Sequence, residues 1–233
     1  MPRLSIILPT YNEAATICSV LREICAVLDR EGSSYELLVL DDASPDHTAD
    51  CVEQAFGDRK EVVLVRRSPP HGLAVAIRDG IARARAEVLV VMDADFNHDP
   101  ADVPRLVSHL AAVDLVGGSR FLPGGGMYSR TRQLGSYAMN VIIRMIVRTG
   151  MKDNLSGFFT LRRTVLDGLP FAQIFFGYGD FYFRLLWHAR RRGAQLLEIP
   201  VVYRPREGGE SKTPLLRTSI RYTMAAVRFA ITR

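Results

Sequence analysis

The chain has 233 residues and a formal net charge of +5 at pH 7, and a chain of this length can bury a substantial core. Hydrophobic residues make up 48% and charged residues 24%, which is ordinary for a globular protein and excludes a disordered chain. The positive charge suits an anionic partner, such as nucleotide phosphates or anionic lipid. A nucleic-acid partner is not expected, because no run of basic residues interleaves with aromatics and no zinc or helix-turn-helix pattern is visible.

The cysteines and the apolar runs indicate a cellular compartment. Cys18, Cys25 and Cys51 lack CxxC spacing, which argues against a disulfide framework or a zinc site and fits a reducing compartment. The first apolar run, residues 4–8, is too short for a signal peptide. No window approaches the ~18 apolar residues of a membrane span. We therefore expect a cytoplasmic protein that lies on the cytoplasmic face of a membrane, if it works at one, and does not cross it.

The first half of the chain alternates between predicted strands and predicted helices. Near-continuous apolar runs predict strands at 4–8, 36–40, 62–65, 87–92 and 115–117. Helical patterns lie between them at 13–30, 47–56, 72–86 and 101–112. Apolar strands separated by helices of this length predict βαβ units and a mostly parallel sheet covered on both faces. The expected fold class is a three-layer α/β/α arrangement.

The regular alternation ends after Arg120. The second half is predicted to contain a flexible glycine-rich loop at 123–126, a helix at 133–149, an apolar segment at 158–161, a helix at 181–192, a strand at 196–203, a loop at 204–213 and a last helix. No internal repeat or long linker interrupts the chain. We therefore expect a single domain, 1–233, made of a first half (1–120), a second half (121–214) and a C-terminal amphipathic helix (215–233).

The strongest chemical signal is Asp93-Ala94-Asp95, which comes directly after an apolar strand. Ligands of open α/β sheets bind at the carboxyl ends of the strands. Two carboxylates one residue apart repel each other there unless a cation neutralises them, and a hard divalent ion with oxygen ligands does so. The pair suggests a site for a hard divalent cation, with Asn97 or His98 as a further ligand or supporting contact. The alternatives are surface carboxylates that cap the next helix and, for His98, a loop or capping residue.

Several further motifs occur in a fixed order along the chain. They are Pro9-Thr10-Tyr11-Asn12-Glu13, Asp41-Asp42-Ala43-Ser44-Pro45-Asp46, Gly72-Leu73, Asp93-Ala94-Asp95-Phe96-Asn97-His98, Gly118-Ser119-Arg120, Ser156-Gly157-Phe158-Phe159, Glu198-Ile199-Pro200 and Arg206 through Lys212. Each motif alone is weak. The ordered set covers most of the chain and resembles family 2 glycosyltransferases of the GT-A fold. Within that family it is most similar to the dolichol-phosphate mannose synthase and polyprenyl-phosphate glycosyltransferase group.

This resemblance implies an activity. An inverting glycosyltransferase would move a hexose from a nucleotide-sugar, bound by the first half, to a polyprenyl phosphate bound by the second. GDP-mannose is the first choice of donor and UDP-glucose the second, on the resemblance alone. Mg²⁺ or Mn²⁺, held by Asp93 and Asp95, would stabilise charge on the departing nucleoside diphosphate.

The resemblance also implies roles for individual residues. Those at the nucleobase and ribose would be Pro9, Tyr11, Glu13 and one of Asp41 and Asp42, between which the sequence does not choose. Those at the metal and the phosphates would be Asp93, Ala94, Asp95, Asn97, Arg120 and Arg206, with Ser211 and Lys212 on a mobile loop that closes over the donor. Asp95, Arg120 and Arg206 would be catalytic, since a guanidinium fork matches phosphate oxygens. Asn97 stands where relatives often carry Gln or Ser.

Structural alternatives exist for several of these residues. Tyr11 could be a core aromatic, and Glu13 could be a carboxylate favoured at a helix N-terminus. Asp46 could only cap the helix that starts near residue 47. Arg206 and Lys212 could be solvated loop charges.

Basic residues in the second half suit an anionic acceptor. A phosphate acceptor is already anionic near pH 7, so it needs positive charge rather than a strong base. The candidates are Arg130, Arg132, Arg144 and Arg148, which suit a lipid phosphate or an anionic membrane surface. The last helix places arginines in one sector beside an apolar stripe, which predicts peripheral membrane contact; the residues are Arg217, Arg221, Arg228, Leu216, Ile220, Val227 and Ile231. A solvated basic face is the alternative for both helices.

One segment departs from the pattern of the family. Relatives usually carry a carboxylate late in the segment after Gly177-Tyr178, where this chain has Phe181 to Phe183. Asp180 either takes over that role or caps the next helix. If a saccharide or other non-lipid acceptor requires Asp180 as its base, Asp180→Asn abolishes turnover. A lipid-phosphate acceptor predicts a mild effect.

Other classes of protein fit less well. A dinucleotide-dependent dehydrogenase would carry GxGxxG after the first strand, where Pro9-Thr10-Tyr11-Asn12-Glu13 stands. A phosphatase with an aspartyl nucleophile usually carries Thr or Val where this chain has Asn97. A protein that binds nucleotide-sugars or membranes without turnover is disfavoured by the intact Asp93 and Asp95 pair and by Arg206.

Overall fold

The computed structural model describes residues 1–205 and 215–233, with the side chains of the last helix described from 218 onward. In this part of the chain the main sheet contains β1 (Leu4–Thr10), β2 (Tyr35–Asp41), β3 (Val62–Arg66), β4 (Val88–Val91), β5 (Leu115–Ser119), β7 (Phe159–Arg162) and β8 (Leu196–Pro200). A two-stranded sheet pairs β6 (Gly126–Met127) with β9 (Val202–Tyr203). The helices are α1 (Ile17–Arg30), α2 (Thr48–Phe56), α3 (Leu73–Arg83), α4 (Asp102–Ser108), α5 (Arg130–Val147), α6 (Phe171–Ile174), α7 (Phe181–Arg191) and α8 (Leu215–Thr232).

The order of strands in the main sheet is β3-β2-β1-β4-β7-β5-β8. Its neighbours are parallel except for β7, which is antiparallel to both β4 and β5. The amino end of β7 therefore lies at the same edge as the carboxyl ends of the parallel strands. This edge collects the loops after β1, β2, β4, β5 and β8 together with the segment that precedes β7.

Alternating side chains of the strands pack against helices on both faces of the main sheet. Successive side chains of a strand point to opposite faces of the sheet. Leu4, Ile6 and Leu8 pack with α1, α2 and α4 on one face, whereas Ile7 packs with α3, α6 and α7 on the other. The predicted α/β/α arrangement with a mostly parallel sheet is confirmed.

A third apolar cluster joins helices of the second half. Residues from α5, α7 and α8 form it, namely Met139, Ile143, Val147, Phe183, Tyr222, Ala226 and Phe229. Because these side chains come from three helices distant in sequence, α8 is anchored to α5 and α7. Among the described helices, none has the length and hydropathy required to cross a membrane.

The structure corrects two predictions in the second half. The strand predicted at 196–203 is two strands, because Pro200 has no N–H to donate and the chain changes sheets at Val201. The Val201 N–H donates to the Ser119 carbonyl, and the Val201 carbonyl accepts from the Gly126 N–H, both at 3.1 Å. The flexible loop predicted at 123–126 is wrong at its end, since Gly126 belongs to β6. Gly125 packs so closely that an added Cβ would lie 2.5 Å from the Ser119 carbonyl oxygen.

Candidate active site

The loops after β1 and β2 are tied together by Asp46. Its carboxylate accepts hydrogen bonds from the N–H and hydroxyl of Thr48 at 3.1 and 2.5 Å, and from the Ala14 N–H at 3.0 Å. Burial raises the pKa of Asp46, but these hydrogen bonds outweigh it and the pKa is lowered overall. Asp46 thus holds the start of α2, as its structural alternative predicted. It also fixes the loop that carries Tyr11, which is 52% exposed and is not a core aromatic.

Asp41 and Asp42, at the end of β2, are both buried but have different partners. Asp41 accepts the Ser44 N–H at 3.0 Å and the Ser44 hydroxyl at 2.5 Å, which closes its own turn. Asp42 accepts the Gly72 N–H at 2.6 Å, and the guanidinium of Arg67 donates to its other oxygen. Asp42 therefore joins the end of β2 to the start of α3. Both carboxylates remain candidates for the nucleobase contact.

The Asp93-Ala94-Asp95 segment follows β4 at the middle of the sheet edge. The Thr16 hydroxyl donates to the Ala94 carbonyl at 3.0 Å, and the Asn97 N–H donates to Asp95 Oδ1 at 3.0 Å. Asp95 is 2% exposed, whereas the side chain of Asp93 is 29% exposed. The Asp93 carboxylate therefore opens to solvent and that of Asp95 is covered by protein.

His98 supports Asp93 from inside the protein. Its Nδ1 accepts the Asp93 N–H at 2.9 Å, so the neutral ring carries its proton on Nε2. That Nε2 lies 3.7 Å from Asp93 Oδ2. The buried ring stacks on Phe158 at 4.9 Å and meets Tyr203 edge-on at 4.6 Å between centroids. Of the roles predicted for His98, this geometry favours the supporting contact.

The surroundings of Asp93 suit a hard divalent cation. A Cβ added to Gly157 would lie 3.4 Å from Asp93 Oδ1, so the glycine keeps the space beside this carboxylate open. Within the described ranges, no three His, Cys, Asp or Glu side chains converge as a complete site. A cation held by Asp93 and Asp95 would therefore need oxygen ligands from a substrate or water, as is common for Mg²⁺. Metal binding by the Asn97 side chain stays a prediction.

Arg120, at the end of β5, is engaged by a carboxylate that the sequence analysis missed. Its Nε and Nη2 donate to the two carboxylate oxygens of Asp153, each at 2.7 Å, and both residues are buried. The ring of Tyr203 lies 4.7 Å from the guanidinium carbon. Burial lowers the pKa of Arg120 and the Asp153 charge raises it, with a net rise. One edge of the guanidinium predicted to bind phosphate, with two of its donors, thus faces Asp153, and phosphate binding by Arg120 stays a prediction.

Glu198 holds Asp153 in place. The Asp153 N–H donates to Glu198 Oε1 at 2.8 Å, and the Lys152 N–H donates to Oε2 at 2.6 Å. Burial raises the pKa of Glu198 in spite of these hydrogen bonds. One signal for Asp153 was present in the sequence: residues 115–152 contain no Asp or Glu, so Asp153 is the first carboxylate after Arg120.

The remaining predicted residues have simple placements. Pro9 lies in β1, and Arg132 lies in the first turn of α5, where its N–H donates to the Ser129 hydroxyl at 3.4 Å. Arg206, Ser211 and Lys212 lie outside the described residues.

Comparison with known proteins defines the class. Residues 5–169 match the family model of glycosyl transferase family 2. The chain belongs to this family.

The chain is also similar to curated mannosyltransferases. It is 32% identical over 218 residues to the dolichol-phosphate mannosyltransferase of Pyrococcus furiosus, a match that covers 90% of this chain and 59% of the relative. It is 33% identical over 217 residues to the undecaprenyl-phosphate mannosyltransferase of Micrococcus luteus, covering 90% of this chain and 87% of the relative. The chain therefore spans less than two thirds of the Pyrococcus protein and most of the Micrococcus protein.

Solved structures of similar fold include glucosyl-3-phosphoglycerate synthase from Mycobacterium tuberculosis. One, in complex with Mn²⁺, uridine diphosphate and phosphoglyceric acid, has a TM-score of 0.71 and 25% identity, covering 98% of this chain and 78% of that chain. Another, with Mg²⁺ and uridine diphosphate, has a TM-score of 0.69 and 25% identity, covering 98% and 79%. The mostly parallel sheet flanked by helices matches these structures, and the expected GT-A fold is confirmed.

Proposed function

We propose that this protein is an inverting, metal-dependent glycosyltransferase that moves a hexose from a nucleotide-sugar to a polyprenyl phosphate at a membrane surface. Mannose from GDP-mannose is the proposed sugar and donor. The relatives support this proposal, because two of them are named as mannosyltransferases of dolichol phosphate and undecaprenyl phosphate. The observation that supports a lipid acceptor is an exposed apolar face formed by α5 and α8.

The donor would bind at the edge where the loops after β1, β2 and β4 meet. Asp93 and Asp95 would hold Mg²⁺ or Mn²⁺, and the bound ion would neutralise charge on the leaving diphosphate. His98 and Gly157 then have clear functions, since one orients the Asp93 carboxylate and the other leaves room beside it. Among the residues that the structure describes, two carboxylates without a third converging ligand leave positions for diphosphate oxygens, as such a shared site requires.

The acceptor would bind on the second half. A phosphate monoester attacks as an anion, so the protein must supply positive charge and orientation rather than a strong base. The acid-free stretch 115–152 contains the whole of α5, including Arg130, Arg132 and Arg144. With no carboxylate in the same stretch, these arginines give α5 a uniformly positive charge that favours two anionic substrates.

Helices α5 and α8 lie side by side and run in the same direction. The Thr223 hydroxyl is 3.6 Å from Met139 Sδ, and Arg233 Nη1 donates to the Val147 carbonyl at 2.8 Å. Both helices turn their buried residues toward α7. Exposed apolar residues lie on the opposite side of each helix, three, four or eight positions apart. We call this set the two-helix face: Leu134, Ile142, Met145, Ile220, Met224, Val227 and Ile231.

The two-helix face has the composition of a surface that enters lipid headgroups. Its apolar residues include Leu134, 71% exposed, and Ile231, 79% exposed. At about 100° per residue, Arg144 flanks the α5 stripe on one outer side, and Arg221 and Arg228 flank the α8 stripe on the other. Neither helix contains Asp or Glu. An apolar centre between arginine rims fits an anionic membrane, which is where a polyprenyl phosphate is found.

A second candidate uses UDP-glucose and a phosphorylated acceptor that is not a lipid. The structural similarity to the mycobacterial synthase, solved with uridine diphosphate and phosphoglyceric acid, favours it. The arginines of α5 would serve that acceptor equally well. The exposed two-helix face then has no function, which is why the lipid acceptor is preferred.

Transfer assays test the proposal. The protein is incubated with a short polyprenyl phosphate and either GDP-mannose or UDP-glucose, with Mn²⁺, with Mg²⁺ or with a chelator. We expect metal-dependent product from GDP-mannose, lost in Asp95→Ala. Product from UDP-glucose alone would overturn the donor assignment, and nucleotide binding without lipid product would overturn the acceptor assignment.

A further inference from the structure

The segment 176–180 lies between the C-terminal helix and the donor side of the sheet. On one side, the Tyr178 ring is 5.1 Å from the guanidinium carbon of Arg221 in α8. A Cβ added to Gly179 would lie 2.6 Å from the Tyr222 hydroxyl. On the other side, the Gly177 carbonyl lies 3.9 Å from the position of a Cβ on Gly72. The segment therefore contacts α8 and lies beside the turn that begins α3.

The turn at Gly72 belongs to the proposed donor site. The Gly72 N–H donates to Asp42 Oδ2 at 2.6 Å, and Asp42 is one of the two candidates for the nucleobase contact. The segment 176–180 thus lies one glycine turn away from Asp42.

Asp180 and Arg184 hold this segment in its conformation. Asp180 Oδ1 accepts the Tyr178 N–H at 2.8 Å, and Oδ2 accepts from Arg184 Nη1 at 2.5 Å. The buried Arg184 also donates to the carbonyls of Ile174 at 2.9 Å and Phe176 at 2.5 Å. Both oxygens of the Asp180 carboxylate thus have donors within the protein. A general base needs an oxygen directed at the acceptor proton, and this geometry directs both elsewhere.

Gly177 allows the segment to pass close to the Asp180 carboxylate. Gly177 has a φ of +77°, and a Cβ there would lie 2.9 Å from Asp180 Oδ1. The chain therefore turns tightly around the Asp180 carboxylate, and only glycine fits at that position.

We propose that Asp180 is a positioning residue that, through Arg184, fixes the segment 176–180 and so couples the C-terminal helix to the donor-side turn at Gly72. This inference rests on the proposed function, because it treats the Gly72 turn as part of the donor site. It gives the chain a physical link between membrane docking of α8 and donor binding. Asp180 contacts neither the reacting atoms nor the metal in this role.

A double-mutant cycle on kcat/KM tests the proposal. Asp180→Asn leaves the Arg184 charge buried without its counter-charge. The mild effect that the sequence suggested for a lipid-phosphate acceptor is therefore replaced by an expected loss of about 10- to 100-fold from misplacement of the segment. In Asp180→Asn/Arg184→Gln the two neutral side chains can still hydrogen-bond, so the double variant should be no worse than either single variant. The acidic limb of the pH–rate profile should be unchanged in Asp180→Asn. A full additive loss in the double variant would show that Asp180 does not act through Arg184, and disappearance of that limb would identify Asp180 as a base; either result would overturn the proposal.

Tryptophan fluorescence and ligand binding, which do not require turnover, test this proposal separately from the proposed function. Trp187 is the chain's one tryptophan, and its ring meets Phe229 of α8 at 5.3 Å between centroids. We expect Asp180→Asn to shift Trp187 emission and to weaken binding of GDP-mannose and metal, whereas the exposed control Asp50→Asn changes neither. Wild-type protein without lipid product contradicts the acceptor assignment alone. Unchanged emission and unchanged nucleotide binding in Asp180→Asn would contradict the coupling, whatever the acceptor.

Discussion

Arg120 and Asp153 form a buried bidentate ion pair that joins the end of β5 to the segment before β7, with both hydrogen bonds at 2.7 Å. Removal of one partner from a buried pair leaves the other charge uncompensated, which typically costs about 3–5 kcal/mol. We expect Asp153→Ala to lower the free energy of unfolding by about that amount, measured by urea denaturation. Asp50→Asn, which breaks an exposed pair with Arg66, should change it little. A loss below about 1 kcal/mol in Asp153→Ala would show that the pair does not stabilise the edge.

Gly157 gives a second prediction, because its missing side chain leaves the space beside Asp93 open. A Cβ would approach Asp93 Oδ1 to 3.4 Å, so Gly157→Ala should fold while it crowds a cation. We expect the concentration of Mn²⁺ at half-maximal activity to rise about 10-fold or more in Gly157→Ala and further in Gly157→Val. The thermal midpoint without metal serves as control. Unchanged metal dependence across both variants would place the cation elsewhere.

His188 predicts a pH dependence of stability. Burial lowers its pKa, and the charges of Arg184 and Arg191 lower it further. Because the folded pKa is below the unfolded value of about 6.5, the unfolded chain binds more protons in this window. Stability is therefore complete above about pH 6.5 and falls as the pH drops through the folded pKa. Urea denaturation between pH 7 and 5 should show this decline, reduced in His188→Gln and retained in the exposed control His47→Gln. An identical decline in both variants would contradict it.

The two-helix face predicts membrane binding through both α5 and α8. A carboxylate in the apolar centre would meet anionic headgroups and lose apolar contact, so Met145→Glu and Met224→Glu should each reduce binding to anionic vesicles about 10-fold or more. Cosedimentation with vesicles containing an anionic phospholipid measures this. Val202→Glu places the same charge on an apolar side chain that is 51% exposed but lies outside both helices, and it should bind like wild type. Equal binding by all three variants would exclude this face as the contact.

The sequence predicted the layered fold because its strands are short, apolar and regularly separated by helices. The sequence did not predict the strand boundaries that depend on tertiary contacts. Nothing local shows that the strand at 196–203 divides at Val201, because that division depends on Ser119 and Gly126. The small strand β6 depends on the same contacts.

The candidate site was predictable where the relevant residues are adjacent in the chain. The spacing of Asp93 and Asp95, directly after an apolar strand, indicated this pair as a candidate cation site. Asp153 lies 33 residues from Arg120, and its choice as the ion-pair partner follows from the antiparallel insertion of β7, which no local pattern indicates. The supporting position of His98 depends on the stacking of its ring on Phe158, which lies 60 residues further along the chain.

The most direct measurement of the central claim is a competition between acceptors. The protein is incubated with sugar-labelled GDP-mannose, Mn²⁺, a short polyprenyl phosphate in vesicles and phosphoglyceric acid, and the label is separated into lipid and aqueous products. A glycosyl phosphate on the lipid releases its sugar in mild acid, which identifies the bond formed. We expect the acid-labile lipid product to contain most of the transferred label. Label found only on the water-soluble acceptor would contradict it.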